Sequence, residues 1–269
     1  MTRAVASLGM YDHPAQHAAN DALWRAIAGA LRRNGIDAPD TLDRSRPVED
    51  VWRDPDLLFA QACGYPLATA PDLTLQVVAA PVYAVPHVAG ATHCSVVVAR
   101  TDDPADGIAA FRDRVVAVNA HTSNTGCNLL RALVAPLARD GRFFASVVET
   151  GAHRASAQAV RRGTADVAAV DAVTFAALER YEPDLVAALR IVATTAPSPT
   201  LPFVTAGATS PAVLAALRDA LDTALADPAT AAARDALHLV AARPASLDDY
   251  AALRILAERA GAAGYPELR

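Results

Sequence analysis

The residues best suited to chemistry gather where apolar runs give way to helical ones. The first such place is Val118-Asn119-Ala120-His121-Thr122-Ser123-Asn124-Thr125-Gly126-Cys127-Asn128, in which a strand-like run passes through small hydroxyl and amide side chains into an apolar helical stretch. The first N–H groups of a helix have no partner within it, and its dipole favours negative charge there, so such a junction suits an anion. Ser123 and Thr125 add hydroxyl donors, Gly126 lets the backbone approach closely, and His121 flanks the same turn. The same residues also read as plain helix capping, with Thr122 or Ser123 at the N-cap.

A second junction is Glu149-Thr150-Gly151-Ala152-His153, which places His153 in the first turn of a helix that follows a strand. In open α/β sheets ligands bind beyond the C-terminal ends of strands, so His153 stands where a ligand would be; a surface or capping histidine is the alternative. The third junction, Gln61-Ala62-Cys63-Gly64-Tyr65, also leaves a strand end, and Tyr65 offers a ring with a hydroxyl. It reads equally as a packed turn. Tyr11 and Asp12, after the first strand, belong to the same layer, and Gln61 and Gly64 join them as candidates. Asp171 ends a strand; it can bind a cationic group on a ligand or cap the helix that begins at Ala172.

Other chemistries fit less well. His13 and His17 share a helix face, but no Glu follows His13 as a zinc-protease pattern requires. Cys127 lies six residues from His121, an unhelpful spacing, and adjacent His93 and Cys94 point to opposite faces of a strand. No metal site and no cofactor are expected. Ser123, His153 and Asp171 are the right types for a hydrolase triad, yet no G-x-S-x-G elbow is present. All 24 basic residues are arginine, which excludes lysine Schiff bases and a P-loop lysine.

The elements that must position these residues alternate strand and helix, which predicts an α/β fold with mostly parallel strands. Strands are expected at Val5–Gly9, Leu57–Ala62, Leu73–Tyr83, Cys94–Arg100, Arg114–Asn119, Phe143–Thr150, Ala165–Val170, Leu189–Thr194 and, last, Leu201–Ala206. Helices are expected at Pro14–Asn34, Pro47–Arg53, Ser123–Arg139, Ala152–Arg162, Pro211–Ala226 and Ser246–Ala260, with a tight turn at Cys63–Pro66. Breaks near residues 84–92 and 195–201 divide the chain into two lobes, one of residues 1–86 and 197–269, the other an insertion of 87–196. Two chain crossings are typical of hinge-bending binders.

The bulk properties agree. The 269 residues are 53% hydrophobic and 20% charged, as in a globular chain. A net charge of -5 argues against a nucleic-acid partner. Cys63, Cys94 and Cys127 are too few and odd in number for a disulfide framework. The N-terminal apolar run is about five residues, shorter than a signal-peptide core, and no stretch approaches the roughly 20 of a membrane helix. The expectation is a cytoplasmic protein as written, or a periplasmic or extracellular one if a signal sequence was removed, without membrane insertion.

With these residues laid out, the chain resembles the phosphate/phosphite/phosphonate-binding proteins of ABC importers, within the type II periplasmic-binding-protein fold. The resemblance runs from Tyr11 to about Thr205. It is carried by Ser123-Asn124-Thr125-Gly126 at a helix start, Gly151-Ala152-His153, and Gly163-Thr164-Ala165-Asp166-Val167-Ala168, with Cys63-Gly64-Tyr65 a looser match. It implies that Ser123, Asn124 and Thr125 hold an anion, that His153 reaches it from the neighbouring helix, that Tyr65 closes from the other lobe, and that Asp171 corresponds to an acidic group recognising an amino group on some phosphonates. The expected function is capture of a small phosphate- or phosphonate-like anion in an interlobe cleft by hinge closure, with an ABC permease as partner. The rival readings are an esterase or phosphoesterase using the same cleft, and a cytoplasmic ligand sensor.

Overall fold

The computed structural model describes residues 4–269. Met1–Arg3, with which the N-terminal reading begins, lie outside the described residues. The strands are β1 (Val5–Ser7), β2 (Leu57–Gln61), β3 (Leu75–Tyr83), β4 (Thr92–His93), β5 (Ser95–Arg100), β6 (Val115–Val118), β7 (Ser146–Glu149), β8 (Val167–Asp171), β9 (Leu189–Thr194), β10 (Ser198–Pro199), β11 (Phe203–Ala206) and β12 (Leu239–Arg243). The helices are α1 (His17–Arg33), α2 (Val48–Trp52), α3 (Gly64–Thr69), α4 (Leu129–Val134), α5 (His153–Arg161), α6 (Ala172–Tyr181), α7 (Pro183–Val186), α8 (Pro211–Ala226), α9 (Ala231–Ala236) and α10 (Ala251–Ala262).

The chain divides into two compact units, one of residues 4–84, 89–91 and 199–250, the other of 85–88, 92–198 and 251–269. The first unit is built on the sheet β1-β2-β11-β3-β12. Along α1, Leu23, Trp24, Ile27 and Leu31 recur at helical spacing and are all buried. Trp24 stacks on Phe59 at 5.8 Å, and Phe59 on Phe203 at 5.2 Å, tying the helix through β2 to β11. Gly35, at φ +75°, takes the left-handed turn just past the end of α1.

The second unit is built on the sheet β7-β6-β8-β5-β9. Its central strands are apolar along their middle positions because both faces are covered. Val97, Ala99, Val116, Val118, Val167 and Ala169 join one core, while Val96, Val98, Ala117, Ala168 and Val170 join another. This is the period of two expected of a strand, expressed on a sheet buried on both sides.

Several expectations need correction. The strands are not mostly parallel: β1–β2, β6–β7 and β6–β8 are parallel, whereas β11 with β2 and β3, β12 with β3, and β5 with β8 and β9 are antiparallel. Hydrophobic period reports which face a residue takes and carries no direction. β12 falls beyond Leu201–Ala206, which was expected to be the last strand. Alanine around it favours helix, but His238 at φ +54° ends that course, and pairing with Ala80–Tyr83 makes Leu239–Arg243 a strand. Cys63–Pro66 is not a free-standing turn, since α3 starts at Gly64 directly after β2.

The tail 251–269, expected with the first part, clusters with the second unit. Ala260, Tyr265 and Leu268 enter one of that unit's cores, the Leu253 carbonyl accepts from Asn128 Nδ2 at 3.2 Å, and the Arg269 carbonyl accepts from the Phe143 N–H at 2.7 Å. An amphipathic helix announces that it will be buried, and not by which partner.

Candidate functional site

Parallel β6 and β7 bring two of the candidate junctions together. Val118 pairs with Glu149 in register, so the loops leaving both strands emerge side by side. Past the strand ends, the Thr150 N–H donates to the Val118 carbonyl and the Gly151 N–H to the Asn119 carbonyl, each at 2.9 Å. Gly151, at φ +83°, then turns the chain into α5, whose first residue is His153.

The turn after β6 is wider than an α-helix start. Asn124–Asn128 form one π-helical turn, closed by the Asn128 N–H donating to the Ser123 carbonyl at 3.0 Å, and α4 continues from Leu129. The expected unbroken helix 123–139 is therefore a π turn, a short α-helix and a 3-10 turn over Ala135–Leu137. Ser123 is its N-cap: Oγ accepts from the Gly126 N–H at 3.0 Å, as the capping reading has it. That bond leaves the Ser123 hydroxyl proton available as a donor.

Thr125 and His153 meet at this point, with Oγ1 and Nε2 3.1 Å apart. The turn is anchored on β5 by Ser95 Oγ, which donates to the Thr125 carbonyl at 2.6 Å. Gly126 has a steric reason: a Cβ there would stand 1.7 Å from Asn119 Oδ1 and 3.2 Å from His153 Cε1. Asn119 Oδ1 is itself buried without a hydrogen-bond partner. Desolvation holds the His153 ring below the ordinary histidine value, against the opposing pull of the Asp171 carboxylate.

The other candidates sort by what they already hold. Asn124 is fully buried, its amide donating to Ser198 Oγ at 3.0 Å and accepting from Asn128 Nδ2 at 3.2 Å, so its side chain is spent on the turn. His121 is exposed, 3.6 Å from Glu149 Oε2. Asp171 caps α6 through Oδ1, which accepts from the Val173 and Thr174 N–H groups at 2.9 and 3.2 Å. Its Oδ2 lies 2.9 Å from His93 Nδ1. Burial alone would raise the Asp171 carboxyl, yet His93, His153 and the Thr174 N–H together hold it below the usual value. Ser123, His153 and Asp171 are not linked as a hydrolase triad, because the Ser123 oxygen caps the turn and the Asp171 carboxylate contacts His93. Sequence reasoning passed over His93 as a partner; its only signal was a histidine in an apolar strand run.

In the first unit, Tyr11 and Tyr65 both pack against the core that includes Trp52, Leu57 and Leu75. Tyr11 meets Tyr83 edge to face at 5.4 Å. Gln61 Nε2 donates to Tyr83 Oη at 2.9 Å and to the Leu201 carbonyl at 3.0 Å, a buried structural role. Asp12 accepts from Arg44 Nε at 2.6 Å and Asn20 Nδ2 at 2.9 Å. Gly64 opens α3 with Tyr65 beside it. Among the described residues, no group of three or more His, Cys, Asp or Glu side chains is placed to hold a metal, and no helix is long and apolar enough to cross a membrane.

Comparison with known proteins bears on the family and the fold of the chain. A family model described as the periplasmic substrate-binding protein of the phosphonate ABC transporter matches residues 54–250. The fold is shared with the binding-protein component of an ABC phosphonate transporter from Pseudomonas aeruginosa, at 16% identity and a TM-score of 0.77 over 97% of this chain and 87% of that one. It is shared with a Prochlorococcus marinus protein in complex with methylphosphonate, at 13% identity and a TM-score of 0.74 over 96% and 97%. A Xanthomonas citri protein bound to ATP aligns at 18% identity and a TM-score of 0.71, over 97% of each chain. No curated protein matches the sequence.

Proposed function

The chain belongs to the family of periplasmic substrate-binding proteins of phosphonate ABC transporters, and on that premise we propose that it captures a small oxyanion of the phosphonate and phosphate class at the Ser123–Gly126 turn. The observation that carries the proposal is the 3.1 Å approach of Thr125 Oγ1 to His153 Nε2 beside the capped turn. A tetrahedral oxyanion presents several acceptors at once, and two hydroxyls with an imidazole offer several donors converging from two loops.

In this reading Ser123 and Thr125 donate hydroxyl protons to the anion, and His153 Nε2 carries a proton that it donates to Thr125 Oγ1 or, where the ligand displaces that contact, to the anion. Asn124 holds the turn rather than the ligand. The protein binds and releases without breaking a bond, and an ABC permease is the partner that receives the ligand. Methylphosphonate, the ligand of the Prochlorococcus marinus neighbour, heads the substances to try.

The test is a thermal-shift screen with phosphate, phosphite, methylphosphonate and sulfate against carboxylates, amino acids, ATP and divalent metals. A ligand at 100 times its Kd stabilises the fold by about 2.7 kcal/mol, a shift of several degrees. Stabilisation by an oxyanion supports the reading. A response only to a metal or to a ligand without an oxyanion overturns it.

A further inference from the structure

The Asp171 carboxylate is 1% exposed and His93 fully buried, yet the two sit directly beneath the anion turn. Asp171 pairs in register with Ser95, and Ser95 Oγ holds the Thr125 carbonyl at 2.6 Å. A carboxylate so close to an oxyanion site has two uses: to take a cationic group on the ligand, or to serve the protein. The contacts decide between them. Oδ1 already accepts two backbone N–H groups at the start of α6, and Oδ2 faces His93 Nδ1 at 2.9 Å.

We propose that His93 withdraws Asp171 from ligand recognition, so that the site takes oxyanions without a cationic group and discriminates against amino-substituted ones. The inference rests on the oxyanion reading above and narrows its ligand class. A ligand ammonium brought to this turn would be desolvated with neither Asp171 oxygen open to it, because reaching Oδ2 requires moving a buried imidazole; Glu149, at the end of β7, is exposed to water beside His121. An unpaired cation in such a place is strongly disfavoured. The groups facing the pair are His153, which feels the Asp171 charge, and Cys94, next to His93 in sequence and buried beside Asp171. Neither is an acid that could replace Asp171. His93 is thus a specificity-determining residue that need not touch the ligand.

Calorimetric titration of the purified protein with ethylphosphonate and 2-aminoethylphosphonate, matched in size and differing by the ammonium, tests the idea. The expected result is at least about tenfold tighter binding of ethylphosphonate, a difference of about 1.4 kcal/mol. His93→Ala opens Oδ2 and is expected to shrink that ratio by about tenfold, while His93→Asn, which keeps a donor, retains it. If His93→Ala does not fold, the wild-type ratio and His93→Asn still decide. Equal or tighter binding of the amino ligand by the wild type overturns this inference alone. Failure of both ligands, and of phosphate and sulfate, overturns the oxyanion reading and this inference with it.

Discussion

Thr125 Oγ1 and His153 Nε2 lie 3.1 Å apart although 28 residues separate them in the chain. Parallel pairing of β6 and β7 makes the meeting possible, because each residue follows the C-terminal end of its own strand. The oxyanion reading depends on this contact.

Removing a donor from it has a direct consequence. Thr125→Ala and Ser123→Ala are each expected to weaken oxyanion binding by about 1–3 kcal/mol, the worth of a hydrogen bond to a charged acceptor. Titration calorimetry reads the change. Unchanged affinity in both variants would sink the anion-turn assignment.

The pH dependence follows from His153. Its folded value lies below the ordinary 6.5, so the unfolded chain binds the proton more readily. Stability of the ligand-free protein is therefore full above about pH 6.5 and declines as pH falls through that value toward the folded one. A bound anion favours the protonated ring and pulls its value back up, so affinity rises as pH is lowered from 8 to 5.5. Sulfate is the probe of choice because it does not titrate in this range. A flat sulfate affinity, or one unaltered in its pH profile by His153→Gln, contradicts the assignment.

Gly126 is expected to tolerate no side chain while Asn119 is present. Gly126→Ala sets a methyl 1.7 Å from the Asn119 oxygen and should lower the melting temperature by several degrees, within the 1–3 kcal/mol typical of overpacking. Asn119→Ala in the same chain should recover much of that loss, since the clash is with this one side chain. A double-mutant cycle without coupling would show that the clash is not what Gly126 avoids.

The tail makes a separate claim. Tyr265→Ala removes a fully buried ring from a core of the second unit and is expected to cost about 3–5 kcal/mol by analogy with other buried aromatics. Hydrogen exchange should show the loss in residues 92–198. Loss confined to the first unit would contradict the packing.

The thiol of Cys127 is pushed up to about 11 by burial and should resist alkylation at pH 8 in the native protein, becoming reactive only in denaturant. Rapid native labelling at this position would mean that the turn opens.

Much of this was legible without coordinates. The short, Val-rich runs around Val97, Val116 and Val167 read as buried strands, and Ser123-Asn124-Thr125-Gly126 and Gly151-Ala152-His153 stand at strand-to-helix junctions because glycine and small hydroxyl residues suit those backbone turns. The amino-acid order thus determined the α/β class and the two loops that carry the candidate site, since each is encoded within a few neighbouring residues. Only the tertiary structure decided strand direction, the placement of Leu239–Arg243 as a strand, the unit that receives residues 251–269, and the fate of Asp171. These depend on contacts between residues far apart in the chain. His93 meets Asp171 across 78 positions, and no local pattern of period, charge or turn chemistry records such a meeting.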